Sequence, residues 1–218
     1  TKFSSATKIV NMLKRRILAE TIRNSAFKFE KMAFVSGPRQ TGKTTLGEML
    51  LKAGPEGRYF NWDEKNFRRK WTQSPLETIS QVIPHRTDTQ AIPLVVLDEL
   101  HKAKNWKRDL KGVFDHLKKQ CLFLITGSAR LNVYKRGGDS LQGRYFHFRM
   151  HPFSVREALG LPPQEPENVL KHVLKLPPAN PKAERVFNDL FEFGGFPDPF
   201  LKKDKTFHAL WQQTRIEK

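Results

Sequence analysis

The sequence has a single cysteine, Cys121, so an intramolecular disulfide is excluded, and that residue sits inside the apolar run Cys121-Leu122-Phe123-Leu124-Ile125. The expected reading is a buried thiol in a reducing compartment. No apolar stretch reaches the roughly 20 residues that a membrane-spanning helix needs. Lys14, Arg15 and Arg16 interrupt the N-terminal region, which speaks against a secretory signal and leaves a cytoplasmic location as the expectation. Metal-ligand spacing is missing too: the nearest histidine pair, His147 and His151, would lie about 13 Å apart along a strand. No serine or cysteine stands in a nucleophilic arrangement, and there is no internal repeat or low-complexity tract. Acid is scarce. The 22 Asp and Glu face 39 Lys and Arg, for a formal net charge of +17. Such a field attracts polyanions, nucleic acid first and anionic membrane surfaces second, although a basic surface that only serves solubility has the same composition.

What is present suffices for a folded core. The 218 residues are 38% hydrophobic, and apolar runs such as Leu94 to Leu97 alternate with polar stretches. From Ala6 to Ile22, the residues Ile9, Val10, Leu13 and Ile17 fall on one face of an amphipathic helix, expected to pack on the main body, with a membrane-surface role as the alternative. Met32 to Ser36 reads as a strand running into a glycine-rich turn, and Thr44 to Lys52 as the helix that follows. Arg58 to Trp62 reads as a second strand, and Asn66 to Val82 as an exposed helix. Ile92 to Leu97 and Cys121 to Ile125 are the near-continuous apolar runs of parallel strands buried on both faces, and Tyr145 to Arg149 supplies a fifth.

Strands separated by helices imply right-handed crossovers. The expected fold is therefore α/β, a parallel sheet of about five strands flanked by helices, with ligands gathered at the carboxyl ends of the strands. Beyond Pro152 the texture changes. Two proline-rich joints, at 162–166 and 177–181, flank a short periodic segment, Val169 to Leu176, and a helix is expected from Lys182 to Phe193, stopping at Gly194. The expected division is an N-terminal helix region at 1–30, a core at 31–152 and a small helical lid or start of a second domain at 153–218.

Gly37-Pro38-Arg39-Gln40-Thr41-Gly42-Lys43-Thr44 fits the GxxxxGK[ST] phosphate-binding loop and lies between a strand and a helix, as that loop requires. Its glycines let the backbone curl around phosphate, and successive amide protons and the helix N-terminus form a positive cradle. Lys43 is expected to reach the β- and γ-phosphates, and Thr44 to take Mg2+ through its hydroxyl, with Thr45 assisting. Leu94-Val95-Val96-Leu97-Asp98-Glu99 ends a buried strand on two acids: Asp98 is placed to hold the magnesium shell, and Glu99 to orient and deprotonate water. The span between Lys43 and Asp98 leaves room for one extra strand and helix, as in the division of phosphate-loop proteins that hydrolyse with a glutamate.

Ser128 and Arg130, in Ile125-Thr126-Gly127-Ser128-Ala129-Arg130, are candidates for sensing the γ-phosphate, against the plainer reading of a capped strand end and a solvated arginine. Arg144, in Gln142-Gly143-Arg144, has three readings: an arginine finger from its own or a neighbouring subunit, a phosphate-facing hinge, or a surface ion-pair partner. Lys102 to Lys119 is the densest basic segment. It reads either as a track for a phosphate backbone or as a solvated helix face with Trp106 packed inward.

Together with Leu141-Gln142-Gly143-Arg144, Pro152-Phe153-Ser154 with Glu157, and Gly194-Gly195-Phe196-Pro197, these pieces make a sequence that resembles a family of AAA-type ATPases found in bacteria and archaea, related to archaeal ATPases and the signal-transducing NTPases. The resemblance implies an ATPase core with a helical extension, followed in family members by a further C-terminal region near where this chain ends at Lys218. A piece of a longer protein is thus expected, and a homo-oligomer is compatible with Arg144 acting in trans. With no NKxD guanine-reading motif, ATP is favoured over GTP. The functional expectation is ATP hydrolysis coupled to conformational change. A nucleotide-gated switch with negligible turnover is the alternative, and a small-molecule kinase a more distant one.

Overall fold

The computed structural model describes residues 16–54, 57–81, 83, 92–128, 141–162 and 180–216. The first part of the expected amphipathic helix, the 169–176 segment and Arg130 lie outside them. The chain divides into two compact units: one is Thr21–Met150, and the other joins Thr1–Glu20 to His151–Lys218. No helix among the described residues is long and apolar enough to cross a membrane.

The Thr21–Met150 unit is built on five strands, β1 (Met32–Ser36), β2 (Arg58–Asn61), β3 (Leu94–Asp98), β4 (Leu122–Gly127) and β5 (Tyr145–Arg149). They lie in the order β2-β3-β4-β1-β5, and every pairing is parallel. All residues of β1 and β3 are buried, which explains why both read as unbroken apolar runs. Among the described residues four helices flank the sheet, α2 (Lys43–Lys52), α3 (Lys65–Gln73), α4 (Pro75–Ser80) and α5 (Trp106–Leu117), while α1 (Ile17–Ile22) precedes β1.

The pleat sends neighbouring side chains to opposite faces. Val95 and Leu97 join the core of Phe67, Trp71, Leu110 and Phe114, whereas Val96, between them, meets α2. That contact is close: a Cβ at Gly47 of α2 would stand 3.0 Å from Val96 Cγ1.

One expectation changes. The segment expected as one exposed helix over 66–82 is two helices, and Phe67, Trp71, Thr78 and Ile79 are buried. Phe67 and Trp71 are four residues apart and share a face, so a helix dominated by Lys65, Arg68, Arg69 and Lys70 still drives its one apolar stripe into the core. The span between Lys43 and Asp98 does hold one further strand, β2, with α3 and α4 after it; β2 lies at the sheet edge, and β4, from beyond Asp98, separates β1 from β3.

In the second unit the described helices are α6 (Val155–Ala158), α7 (Pro181–Phe193), α8 (Pro197–Lys202) and α9 (Lys205–Ile216). Ser154 and Glu157 form a capping box on α6, and the Asn180 side chain caps α7 by accepting from the amides of Lys182 and Ala183. Gly194 ends α7 at φ 69°, where a side chain would be strained. Gly195 lies so close to the 152–153 backbone that a Cβ would fall 2.6 Å from the Phe153 carbonyl oxygen, and the Phe153 amide donates to the Gly195 carbonyl at 2.6 Å. Arg16 is buried over the Phe153 ring, donates to the His151 carbonyl at 2.6 Å and lies 3.4 Å from the Glu157 carboxylate.

Candidate functional site

β1 ends at Ser36, and the loop to α2 keeps the geometry of an anion cradle. Gln40 at φ 63° and Gly42 at φ 90° turn the backbone through the left-handed region, and Gly42 caps α2. Gly37 is required by space, since a Cβ there would stand 2.4 Å from the Met150 carbonyl oxygen, where the end of β5 is tied by the Met150 amide to Ser36. Thr41 is fully buried and donates to the Pro38 carbonyl at 2.9 Å. The Lys43 ammonium folds over the loop and donates to the carbonyls of Gly37 at 3.0 Å and Pro38 at 2.6 Å. Burial lowers its pKa below the ordinary lysine value, partly offset by the nearby carboxylates of Glu99 and Asp98.

Asp98 is 4% exposed and fully engaged. One carboxylate oxygen accepts from the Thr44 hydroxyl at 3.0 Å and the Tyr59 hydroxyl at 2.5 Å, and the other from the Thr126 hydroxyl at 2.5 Å. The sheet register makes this meeting possible, with Asp98 opposite Thr126 on β4 and Asn61 on β2. Burial, followed by the bond to Asp98, raises the Tyr59 pKa well above the usual phenol range, so its hydroxyl stays a donor. Thr44 and Asp98 together offer a neutral and an anionic oxygen, a donor set of the kind magnesium takes alongside phosphate oxygens and waters.

Glu99 turns out of β3 at φ 57°, a conformation that costs a non-glycine residue about 1 kcal/mol or more. Its amide donates to the Thr126 carbonyl at 2.8 Å. Its carboxylate lies 3.3 Å from the Lys102 ammonium and 3.8 Å from His101 Nε2. Lys102 also grips Asp63 with two contacts of 2.8 Å, chiefly responsible for raising its pKa, and His101 Nε2 reaches Ser128 Oγ at 3.5 Å. Burial lowers the His101 pKa despite Glu99 beside it.

The structure thus brings Lys43, Thr44, Asp98, Glu99 and Ser128 to the carboxyl ends of β1, β3 and β4. It does not bring Arg144 there. Tyr145 pairs with Met32 at the start of β1, so Arg144 sits at the amino end of the sheet, where it makes bonds of 2.8 and 3.0 Å to the two oxygens of Asp115. This corresponds to the surface ion-pair reading. Sequence reasoning missed Tyr59, Thr126, His101 and Lys102. Thr126 carried a signal, as the residue two before Ser128 in a strand parallel to β3.

Comparison with known proteins adds family membership. A family described as AAA domain matches residues 29–159. The uncharacterized proteins Rv2008c of Mycobacterium tuberculosis and Mb2031c of Mycobacterium bovis are each 25% identical over 146 residues, 67% of this chain. The match spans 30% of the length of those relatives. Among solved structures, AMPPCP-bound DnaA from Aquifex aeolicus superposes with a TM-score of 0.44 at 16% identity, covering 89% of this chain and 65% of that one. The Aeropyrum pernix Orc1 protein in complex with DNA gives 0.44 at 14% identity, with 94% and 60% covered. By the extent of the family match, which includes both the phosphate-binding loop and the acids of β3, the chain belongs to the AAA domain family, as an AAA-type P-loop domain.

Proposed function

We propose that Thr21–Met150 binds ATP with magnesium and hydrolyses it, and that turnover drives a conformational change. The observation that carries this reading is the meeting of the Thr44 hydroxyl and the buried Asp98 carboxylate at 3.0 Å, directly beyond a loop of phosphate-cradling geometry. In this reading the backbone from Gly37 to Gly42, through Pro38, Arg39, Gln40 and Thr41, surrounds the phosphates, and each of these residues except Pro38 has an amide proton to offer. Lys43 exchanges its two carbonyl partners for β- and γ-phosphate oxygens, a trade of neutral acceptors for charged ones. Thr44 and Asp98 hold magnesium, with Thr45 beside them. Bound there, the ion would neutralise charge developing on the phosphates. Glu99 takes the proton of the attacking water, and Ser128 faces the γ-phosphate and reports it to Glu99 through His101. Arg130 is kept as a candidate phosphate contact, and Arg144 is given no part in the reaction.

A second reading, a nucleotide-gated switch with negligible turnover of its own, is favoured by one observation. The Glu99 carboxylate is drawn to Lys102 and His101, and a base held by a cation accepts a proton poorly. Binding of Mg-ATP and phosphate release, measured on the chain beside Lys43→Ala and Glu99→Gln, separate the two. Hydrolysis requires turnover that Lys43→Ala abolishes and Glu99→Gln lowers on the order of 100-fold while retaining ATP. Binding without turnover supports the switch. If Lys43→Ala binds as the parent does, both readings fail.

A further inference from the structure

Helix α3 turns Phe67 and Trp71 into the core and exposes four cations, Lys65, Arg68, Arg69 and Lys70. Arg69 stands two residues from each buried aromatic, about 200° around the helix from both, so it marks the middle of the outer face. The other exposed positions of the helix are Asn66, Thr72 and Gln73, and no acidic or apolar residue of α3 shares that face. Among the described residues none of the four cations has an ion-pair partner. Of the two acids just before the helix, Asp63 is held by Lys102 at 2.8 Å, and Glu64 meets the helix through its backbone carbonyl, which accepts from the Arg68 amide.

This pattern works against the helix itself. Lys65 stands three and four residues before Arg68 and Arg69, the spacings at which side chains meet and like charges repel. It also opens the helix, at the positive end of the dipole, in a first turn that has no acid. A face kept only for solubility mixes its signs, as α5 does. There Arg108 lies 3.3 Å from Asp109, and the Asp115 pKa is lowered by its bond to Arg144 first, with Lys111 and Lys118 adding to the effect. An unpaired row of cations regains from an outside polyanion what it loses within the helix.

We infer that the outer face of α3 binds the phosphate backbone of double-stranded nucleic acid, with Lys65, Arg68, Arg69 and Lys70 on phosphates and Asn66, Thr72 and Gln73 donating to the oxygens beside them. At about 1.5 Å per residue the helix spans about 14 Å, and one strand of a duplex carries a charge roughly every 3.4 Å of its axis, about four over that length. The helix has as many cations. A single strand suits the face less well, because the rings on which its bases would stack, Phe67 and Trp71, are turned into the core. A membrane surface suits it no better, since a helix lying on lipid needs its apolar face for the acyl chains. The inference stands apart from the ATPase reading: it uses no residue assigned a part there and needs no nucleotide.

The test is fluorescence anisotropy of a labelled DNA duplex of mixed sequence, titrated with the whole chain at several salt concentrations. Arg68→Gln/Arg69→Gln removes two charges without harming helix propensity, and is expected to flatten the log–log salt slope by about 1.8 and to weaken binding about tenfold or more near 0.1 M salt. Its melting temperature is expected to match or exceed the parent's, because repulsion within the helix is relieved. Lys111→Gln/Lys118→Gln removes the same charge from α5, where Asp115 stands nearby, and is expected to alter affinity less than about threefold. Equal effects of the two pairs would show a diffuse positive field rather than this face. A single strand bound as tightly as the duplex, or polyglutamate competing as well as unlabelled duplex, would assign the face another partner and overturn the inference. So would a lower melting temperature for Arg68→Gln/Arg69→Gln, which would give the arginines to the fold, or no binding at low salt.

Discussion

Asp98 illustrates how one residue acquires its role from its neighbours. A buried carboxylate is tolerated when its lone pairs are used, and here three hydroxyls, from Thr44, Tyr59 and Thr126, use them. Tyr59→Phe keeps the ring and removes one donor to a charged acceptor. Such a bond contributes about 1.5–3 kcal/mol, so urea unfolding of that variant is expected to show a loss of this size. Lys102 acts one residue further out. Its ammonium bridges Glu99 and Asp63, so Lys102→Met is expected to free the Glu99 carboxylate and raise phosphate release severalfold with ATP affinity unchanged. Adding Glu99→Gln to Lys102→Met should return turnover to the level of Glu99→Gln alone. A fall in turnover for Lys102→Met would mean that the lysine positions the base rather than restrains it. Of these groups the sequence announced Lys43, Thr44, Asp98 and Glu99, because they belong to contiguous motifs. Tyr59 and Lys102 were illegible. Tyr59 reaches the site from a neighbouring strand, and nothing within a run of residues says which strand will lie beside which; Lys102 stands only three residues after Glu99 but meets it through the tight turn at Leu100–Lys102, where the left-handed Glu99 bends the chain back.

The same division holds for elements. β1, α2 and β5 are legible from apolar runs and from the punctuation of Gly37 and Gly42. The order of the strands is not, since the insertion of β4 between β1 and β3 is decided by where the crossover helices pack. The position of Arg144 followed from the same gap: only parallel pairing with β1 tells which end of the sheet precedes Tyr145. Helix α3 was misjudged because Lys65, Arg68, Arg69 and Lys70 outweigh Phe67 and Trp71 in number while the two aromatics decide which face turns inward. Glycines give a test at this scale. Gly37→Ala forces a Cβ to 2.4 Å from the Met150 carbonyl, and so must part the loop from the end of β5. A loss of about 1–3 kcal/mol is expected, together with weakened nucleotide binding. Gly112, inside α5, has nothing within 4 Å of its would-be Cβ. There Gly112→Ala is expected to stabilise by about 0.5–1 kcal/mol, read from the same unfolding curves. Equal effects at the two positions would contradict the packing described at Gly37.

For the whole molecule the governing quantity is charge. At +17 the folded chain repels itself, and acid adds the protons of seven histidines. Two of these, His101 and His147, have pKa values lowered by burial below the ordinary 6.5, with Arg149 adding to the effect at His147. Their unfolded forms bind protons that the folded forms refuse, so stability holds above the unfolded pKa. It is lost as pH falls from about 6.5 toward the folded values, by at most about 1.4 kcal/mol per pH unit for each histidine. General repulsion acts in the same direction over the same range, and salt separates the two causes. Repulsion between exposed charges is screened at high ionic strength, whereas the cost of charging a buried imidazole is screened far less. Unfolding midpoints measured from pH 7.5 to 5.5 are therefore expected to fall at both low and high salt, with a shallower but persistent slope at high salt. His101→Gln/His147→Gln should remove most of that persistent part and little of the salt-sensitive part, since Gln can still bond Ser36 where His147 Nε2 does at 2.8 Å. If high salt alone abolishes the pH dependence, the histidines do not govern it, and acid sensitivity belongs to the net charge.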